Sequence, residues 1–427
     1  MSPRFRIINS SSLLRWDVSS YLAEGWQLPT EKQRALGDFL RPRKVKVAPG
    51  DESTEMITIH FDGSIERRRT PRQSRMQLYK VLAGQVVLSK IDLKNGALAV
   101  LPERLSPSAV TSHFAVYDLS PDLHPEYLQR VIQTPVMKDL LWRSKVGAEG
   151  RKEVKLKSFE AMRIPYPPLS TQLELLKPLF SARADVSSAQ SALDEYIDSV
   201  SAHLHEISGM SADMLKARRV EADFRLLQAW SIDAGRASMV RRQVRDCAPL
   251  GNLIEEKREL FDPSAFPEVL WRMHGVSNSR GVFSSGLIQG RDFTQKQKRV
   301  DGGVFIHNPT RANVGSIGRL YNAVENALTS PEYVVWRARR PSDGNFLDLL
   351  RRTKYFQSLV PYFRVGAVKR RLSFEQLALI PVPALPPERR VELGARFEEL
   401  RQKLVYSRVA LASRNDELAA SIMMGSW

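Results

Sequence analysis

The chain contains very little cysteine and no long apolar run. Cys247 is the single cysteine among 427 residues, which excludes a disulfide within the chain and a cysteine-rich zinc site. No stretch of about 18 consecutive apolar residues occurs, so the sequence predicts no membrane-spanning helix. The first 14 residues have no long apolar core, so we expect no signal peptide and a cytoplasmic protein.

Motifs of two enzyme classes are also missing. The sequence has no Gly-x4-Gly-Lys-Ser/Thr phosphate loop, which excludes an ATP motor built on that loop. It has no strand–Gly-x-Gly–helix unit for a methyl donor. Asn308-Pro309-Thr310-Arg311 begins like the Asn/Asp-Pro-Pro-aromatic motif of a methyltransferase, but the second proline and the aromatic residue are lacking. We therefore expect no methyltransferase activity from this chain alone.

Two weaker patterns resemble metal sites. Pro121-Asp122 and Glu153-Val154-Lys155 together have the form of a metal-dependent nuclease motif, but the second half of the chain has no matching acid and lysine. His203 and His205 lie in a helix-like run, where a solvated helix face is the simpler interpretation. The sequence therefore predicts neither catalytic residues nor metal ligands, with a nuclease as an alternative hypothesis.

What the chain does contain is an internal duplication. Ile164-Pro165-Tyr166-Pro167-Pro168-Leu169 recurs as Ile380-Pro381-Val382-Pro383-Ala384-Leu385, and a helix-like run follows each copy. Other residues match at offsets between 214 and 219: Leu36-Gly37 with Leu250-Gly251, Gly84 with Gly303, Gly96 with Gly315, and Ser158-Phe159-Glu160 with Ser373-Phe374-Glu375. Solenoid repeats have periods of about 20–50 residues, so this period indicates two duplicated domains.

The positive charge is concentrated in the repeated blocks. The whole chain carries a formal charge of +17, from 64 Lys and Arg against 47 Asp and Glu. Residues 34–163 carry +8 and residues 241–379 carry +10, whereas the runs 164–220 and 380–427 carry −2 and +1. Two basic blocks joined by nearly neutral segments are typical of two modules that bind a polyanion.

The repeated blocks predict domains of the α+β class. Short strand-like runs alternate with turn pairs such as Asp62-Gly63 and Asn95-Gly96. Strands are expected near residues 55–61, 86–88, 97–100, 113–117, 304–306 and 333–336. Helical spacing is expected in each block, from Pro125 to Trp142 and from Phe346 to Phe363.

Two long amphipathic runs predict helices over residues 170–208 and about 387–424. Their apolar residues recur in alternating steps of four and three, which is the pattern of a coiled-coil seam. We expect Pro178 to kink the first helix and Gly209 to end it. Two such helices could pack together and set a fixed distance between the domains.

Basic and amide side chains on the predicted turns are the candidates for DNA binding. Arginine recognises guanine, asparagine recognises adenine, and both types, with lysine, also hold phosphate. For each single residue a solvated surface position is the simpler interpretation, but the set on repeated turns favours DNA. The candidates are Arg43, Lys44, Arg67, Arg68, Arg69, Lys90, Lys94, Asn95, Arg151, Lys257, Arg258, Asn278, Arg280, Arg311, Asn313, Lys369, Arg370 and Arg371.

These motifs, in this order and in two copies, resemble the specificity subunit of type I restriction–modification enzymes. The resemblance runs from about Trp16 to Met424, and Ala384 and Glu388 depart from it, because the family usually has Pro and Gln there. It is carried by Leu36-Gly37 with Arg41-Pro42-Arg43, Phe61-Asp62-Gly63, Ser89-Lys90-Ile91-Asp92, Ile164-Pro165-Tyr166-Pro167-Pro168-Leu169, Gly275-Val276-Ser277-Asn278, Arg311-Ala312-Asn313-Val314-Gly315 and Ile380-Pro381-Val382-Pro383.

The resemblance implies two target-recognition domains and two long antiparallel helices. The first domain would span 1–163, the central helical spacer 164–220, the second domain 221–379 and the C-terminal spacer 380–427. Each domain would read one half of a split, asymmetric site on double-stranded DNA. The chain itself would be non-catalytic.

The resemblance also implies partner subunits. Two copies of a methyltransferase subunit, which bind S-adenosylmethionine, would dock on the helices, and a motor-nuclease subunit that uses ATP and Mg would join for cleavage. This chain would hold no cofactor. A recognition module of another phage-defence system with the same architecture is the alternative. The docking candidates are the apolar seam residues Leu173, Leu176, Leu193, Ile197, Leu204, Phe397, Leu400, Leu404 and Leu411.

Overall fold

The chain divides into two units that each combine sheets and helices. The computed structural model describes residues 26, 28–48, 54–68, 77–146, 153–211, 232–366 and 369–427. The first unit comprises Met1–Asp185 and Arg408–Trp427, and the second comprises Val186–Ser407. The fold is thus mixed α/β, with sheets in two halves of the sequence and a long helix between them, as the sequence predicts.

In the first unit, twelve short strands and three short helices precede the first long helix in the described sequence. The strands are β1 Gln33–Ala35, β2 Leu40–Arg43, β3 Glu55–Ile59, β4 Ile65–Arg67, β5 Leu78–Val81, β6 Val86–Ser89, β7 Leu98–Val100, β8 Ser108–Thr111, β9 Phe114–Leu119, β10 Lys145–Val146, β11 Glu153–Val154 and β12 Arg163–Pro165. The helices are α1 Pro125–Gln133, α2 Pro135–Arg143, α3 Leu156–Glu160 and the long α4 Leu169–Ser208.

Two four-stranded sheets form the body of the first unit. One is antiparallel, with the order β2-β9-β6-β7, and the other has the order β4-β3-β8-β5, with β3 and β8 parallel. Strand β6 is buried on both faces: Val86 and Leu88 belong to the core shared with the helices, and Val87 belongs to the core between the sheets. The unit is therefore layered as helices, sheet and sheet.

The second unit is built from the elements of the second repeat. The strands are β13 Cys247–Pro249, β14 Ile254–Glu256, β15 Leu260–Phe261, β16 Leu270–Ser277, β17 Gly281–Gln289, β18 Gln297–Arg299, β19 Phe305–His307, β20 Ile317–Arg319, β21 Ala327–Thr329, β22 Val334–Ala338 and β23 Pro381–Pro383. The helices are α5 Ile232–Gln243, α6 Gly344–Leu350, α7 Lys354–Leu359, α8 Phe374–Ala378 and the long α9 Pro387–Met424.

The sheets of the second unit repeat those of the first. The order β14-β22-β19-β20 matches β2-β9-β6-β7, and β15-β18-β21-β16-β17 contains the counterparts of β5, β8, β3 and β4 in the same order. The parallel pair recurs as β16 with β21. One clear difference is the hairpin β16–β17, which is longer than β3–β4. The duplication predicted from sequence therefore holds at the level of strand order.

Backbone conformation repeats at the glycines where the sequence motifs match. Gly96 and Gly315 follow equivalent single turns, Leu93–Asn95 and Ala312–Val314, and have φ of 91° and 86°. L side chains rarely adopt this left-handed region, which explains why glycine stands at both places. The two turns are thus held in the same shape in both units.

A short two-stranded pair joins the ends of each repeated block. Gln33 pairs with Pro165 in β1–β12, and Cys247 pairs with Pro383 in β13–β23. The structural counterpart of Pro165 is therefore Pro383. The sequence match of Ile164-Pro165 with Ile380-Pro381 is two residues out of register with the strand pairing.

The two long helices pack together inside each unit. In the first unit, Leu176 and Leu179 of α4 share a core with Leu418 and Ile422 of α9. In the second unit, the later residues of α4 share a core with the earlier residues of α9, and the Tyr196 hydroxyl donates to the Leu393 carbonyl at 3.0 Å. The helices are therefore antiparallel within each unit. Helix α4 runs on through Pro178, and Gly209, with φ of 63°, follows its last residue.

The two stretches of predicted helical spacing each contain a break in the structure. The stretch from Pro125 to Trp142 forms α1 and α2, because Thr134 caps α2 by accepting a hydrogen bond from the Met137 amide at 3.3 Å. The stretch from Phe346 to Phe363 divides in the same way, with Thr353 as the cap of α7. The helical spacing predicted in each block is therefore confirmed as two short helices, and the break between them is part of the duplication.

His307 is a buried titratable group in the core of the second unit. Its Nδ1 accepts from the Trp336 indole N–H at 3.2 Å, so its Nε2 carries the proton and donates to the Leu372 carbonyl at 2.8 Å. Burial lowers the pKa of His307 to about 4. The equivalent position in the first unit is Leu88, by the register of β6 with β9 and of β19 with β22.

Acidification should destabilise the second unit through His307. The folded-state pKa lies below the unfolded value, so the unfolded chain binds the proton first and stability falls as the pH drops from about 6.5 towards 4. The loss should approach roughly 3 kcal/mol. Urea unfolding of the full chain, followed by tryptophan fluorescence at pH 7 and pH 4.5, measures it. The His307→Leu variant, which copies Leu88, should lose this share of the pH dependence. Equal pH dependence in both proteins would contradict the assignment.

Candidate nucleic-acid interface

A basic groove lies beside the outer strand of the antiparallel sheet in the first unit. It has a volume of about 250 Å3 and gathers three sequence candidates, Arg43, Lys44 and Lys90. The Lys44 ammonium lies 5.2 Å from the centre of the Tyr79 ring, and the Lys90 ammonium donates to the Ser112 carbonyl at 2.8 Å. Within the described part of the chain, neither lysine forms an ion pair.

Few carboxylates line this groove. Glu160 of α3 accepts a hydrogen bond from the buried Tyr117 hydroxyl at 2.9 Å, and burial raises the pKa of Tyr117, so the hydroxyl stays protonated. Asp118 accepts from the Gln85 amide at 2.6 Å and lies 4.0 Å from the Arg43 guanidinium. The groove thus presents cations that the protein itself does not neutralise completely.

The strand register shows which residues of the second unit are equivalent to the groove residues of the first unit. Pro42 pairs with Tyr117 in the first unit, and Glu256 pairs with Trp336 in the second. Lys257 and Arg258 therefore stand where Arg43 and Lys44 stand. The bridge between Lys46 and Tyr79 recurs as the pair of Leu260 with Lys298, so Lys298 takes the place of Tyr79. Lys298 is a basic residue that the sequence candidates did not include.

In the second groove, carboxylates form ion pairs with the cations. Arg258 forms ion pairs with Glu256 and with Glu375 of α8, and Lys257 forms one with Asp301. The Lys298 ammonium donates to the Tyr333 carbonyl at 2.8 Å, and burial lowers the pKa of Lys298. The two equivalent grooves therefore differ in charge although their frames agree.

A second feature common to both units is the meeting of two loops. In the first unit, Gly96 at the end of the 93–95 turn packs against the Phe61 carbonyl, in the turn between β3 and β4. In the second unit, Gly315 packs against the Asn278 side chain, in the turn between β16 and β17. A side chain at Gly315 would displace the exposed Asn278 side chain, and the φ of 86° at this position independently favours glycine.

The paired loops carry different side chains in the two units. The second unit presents Asn278, Arg280, Arg311 and Asn313, and all four are exposed. The Arg280 guanidinium lies 3.7 Å from the centre of the Phe283 ring, which holds it against the hairpin. The first unit presents Lys94 and Asn95, which are half-buried. A cavity of about 730 Å3 in the second unit is lined by Asn278, Asn313 and the basic residues Arg351, Arg352 and Lys354.

The remaining candidates are dispersed. Arg67 and Arg68 lie at the β4 edge, where Arg67 pairs with Glu55 at 2.8 Å, while Lys369 is exposed. Arg370 pairs with Asp233, and Arg371 lies 3.5 Å from Glu332. Arg69 and Arg151 lie outside the described residues. The structure therefore concentrates the candidates at the grooves and the paired loops.

Most apolar seam residues of the two long helices are buried inside the protein. Seven predicted docking residues are buried in the protein's own cores: Leu176, Leu193, Ile197, Leu204, Phe397, Leu400 and Leu404. Their contacts are already made within the chain, so these residues cannot form a surface for a partner. Leu411 is half-buried, and Leu173 is 43% exposed. Leu169, Leu173 and Phe180 form an exposed apolar stripe on α4.

The described ranges contain neither a metal-binding cluster nor a membrane-spanning helix. There, no group of three or more His, Cys, Asp or Glu residues is arranged to hold a metal ion. Among the helices of these ranges, none has the length and apolar character needed to cross a membrane. His205 of the His203-x-His205 pair has its Nδ1 2.7 Å from the Ser201 carbonyl of its own helix.

Comparison with known proteins gives matches only among solved structures. No family model and no curated protein matches the chain. The chain is similar to the S subunit of the type I restriction-modification system from M. genitalium, at 12% identity and a TM-score of 0.45, covering 94% of this chain and 98% of that one. It is similar to the HsdS subunit from Thermoanaerobacter tengcongensis, at 16% identity and a TM-score of 0.32, with coverages of 95% and 98%.

A third similar chain comes from a solved structure described as the "structural basis underlying complex assembly and conformational transition of the type I R-M system". It is similar at 16% identity and a TM-score of 0.37, with coverages of 95% and 99%. Over nearly its whole length, the chain is similar to solved S subunits of type I restriction–modification systems.

Proposed function

We propose that this chain is the sequence-specific DNA-binding subunit of a type I restriction–modification complex. The observation that carries the proposal is one frame present twice with unlike loops. In both units, a glycine-ended turn meets a hairpin turn, but Lys94 and Asn95 stand in one and Asn278, Arg311 and Asn313 in the other. Arginine and asparagine discriminate guanine and adenine in the major groove. Unlike loops on equal frames suit two unlike half-sites.

The catalytic steps would belong to partner subunits. We propose that two methyltransferase copies carry S-adenosylmethionine, that a motor-nuclease subunit uses ATP and Mg, and that the assembly acts in the cytoplasm. The sequence motifs that resemble type I specificity subunits support this assignment, together with the missing methyl-donor and phosphate loops.

The exposed stripe on α4 is the proposed contact for the methyltransferase. Leu169 is 38% exposed, Leu173 is 43% exposed and Phe180 is 39% exposed. Their spacing of four and seven residues places them on one helix face. Exposed apolar side chains grouped on one side of a helix are candidates for a contact with a partner.

Methyl transfer to DNA by the reconstituted complex tests the proposed function. The chain alone should bind duplex DNA with a steep salt dependence and transfer no labelled methyl group, and its genomic methyltransferase neighbour should restore transfer. The Leu173→Asp variant should stay folded and lose the partner and methyl transfer. The Leu176→Asp variant, which places a charge in a fully buried site, should instead unfold the first unit.

Three results would count against this assignment. Methyl transfer by the pure chain, after removal of any co-purifying methyltransferase, would contradict a non-catalytic subunit. Absence of any DNA binding by the complex would contradict DNA recognition. Normal assembly with the Leu173→Asp variant would move the docking surface away from this face of α4.

A further inference from the structure

The cations of the two equivalent basic grooves have different interaction partners. In the first unit, Lys44 lies over an aromatic ring and Lys90 holds a neutral carbonyl. In the second unit, Arg258 is held by two carboxylates, those of Glu256 and Glu375. The contrast is built into the repeat, because Glu256 stands at the position of Pro42 in the strand pairing.

From this contrast, and resting on the proposed function, we propose that only the first groove is a binding site for a phosphodiester of the DNA backbone. The second groove is its internally neutralised counterpart, in which the carboxylates of Glu256 and Glu375 occupy the place that a phosphate would take. The first domain would therefore anchor the DNA backbone through Lys44 and Lys90, and the second domain would not do so at this position.

The local geometry opposes phosphate entry in the second groove. The Glu256 side chain is only 13% exposed, so it has little room to move away from Arg258. A phosphate there would approach Glu256, Glu375 and the Asp301 partner of Lys257, and repulsion between like charges would oppose it. Lys298 is engaged with the Tyr333 carbonyl.

The first groove lacks these obstacles. Its one lining carboxylate, Glu160, accepts a hydrogen bond from Tyr117, and Asp118 is engaged by Gln85. A phosphate oxygen can replace the Ser112 carbonyl as acceptor for the Lys90 ammonium without separating an ion pair. Each phosphate neutralised by a lysine releases condensed counterions, so the contact has a measurable salt dependence.

The salt dependence of DNA binding by the full-length chain tests the proposal. The probe is a fluorescent duplex of arbitrary sequence, titrated between about 50 and 200 mM salt. Lys44→Ala and Lys90→Ala should each weaken binding several-fold and reduce the slope of log K against log salt by about 0.9. Arg258→Ala should leave the slope unchanged, and Glu256→Gln with Glu375→Gln should steepen it. Lys177→Ala, an exposed lysine on α4, is the matched control.

A second arm uses inorganic phosphate and thermal unfolding of the same variants. Phosphate should raise the unfolding temperature of the wild type, and less so that of the Lys44→Ala and Lys90→Ala variants. An equal loss of DNA binding in Arg258→Ala and Lys44→Ala would overturn the asymmetry while leaving DNA recognition intact. Phosphate binding without any DNA binding would overturn the assignment of the groove to DNA, and with it the proposed function. Binding of neither ligand would overturn both.

Discussion

Replacing Arg390 by alanine should lower the free energy of unfolding of the second unit by about 3–5 kcal/mol. The Arg390 guanidinium donates to both oxygens of the Asp343 carboxylate, at 2.9 and 3.1 Å, and to the Leu385 carbonyl at 2.7 Å. Asp343 is 1% exposed and Arg390 8%. The variant leaves a buried carboxylate without its cation, and this is the source of the large cost.

In the first unit, the uncharged Gln172 stands at the position equivalent to Arg390 and makes the equivalent contacts. Gln172 donates to the Pro167 carbonyl at 2.9 Å and accepts from the His124 amide at 2.8 Å. His124 and Asp343 both stand just before equivalent helices, α1 and α6. Gln172→Ala should therefore cost less, about 1–3 kcal/mol, because no charge is left unpaired.

Chemical denaturation with hydrogen exchange along α4 and α9 would measure both changes in the full chain. Arg389→Ala, which removes an exposed ion pair with Glu392 on the same turn, is the matched control and should leave the free energy of unfolding nearly unchanged. The double variant Asp343→Ala with Arg390→Ala should lose less free energy of unfolding than the sum of the losses in the two single variants. If Arg389→Ala and Arg390→Ala lower the free energy of unfolding by the same amount, the buried Arg390–Asp343 ion pair does not stabilise the second unit.

Exchanging residues 250–379 for the same block of a relative should change one half of the recognised DNA site and leave the other half unaltered. The structure makes this exchange feasible, because the block begins and ends at the pair β13–β23, where the Leu250 amide donates to the Ile380 carbonyl at 2.9 Å. The exchanged block contains the loops of Asn278 and Arg311, and the first-unit loops stay as they are. Methylome sequencing of cells that carry the exchange reads the result directly.

Arg311→Ala is the single-residue form of the same experiment. Arg311 is exposed at the start of the 312–314 turn, and its side chain forms no ion pair within the described sequence. Loss of a bidentate base contact costs about 1–3 kcal/mol, so one position of one half-site should become relaxed. Changes in both half-sites at once, or a continuous palindromic site, would defeat the model of two separate readers.

Much of the frame could be predicted from the sequence because it depends on local signals that occur twice. The glycines at 96 and 315 mark left-handed turns, and the step pattern of apolar residues gives both long helices with ends close to those observed. The breaks at Thr134 and Thr353 were not predicted, because apolar spacing continues across them. Thr134-Pro135 was the available signal, since threonine caps a helix and proline begins one.

The parts that sequence reasoning missed depend on contacts between distant residues. Arg390 takes the role of Gln172 only because Asp343 lies beside it, 47 positions earlier. The seam residues were assigned to a partner, but seven of the nine are buried where α4 packs against α9 within each unit. Lys298 enters the second groove through strand pairing with Leu260, which no local pattern reveals.

The prolines in the short strand pairs also bear on how readily the chain could pair with a second chain. Pro165 lies in β12, and Pro381 and Pro383 lie in β23. A proline has no N–H to offer a further strand, so these edges are poor templates for pairing with another chain. The residues that stiffen the entry to each long helix thus also leave the free edge of each strand pair without donors for a further strand, which disfavours pairing with a second chain.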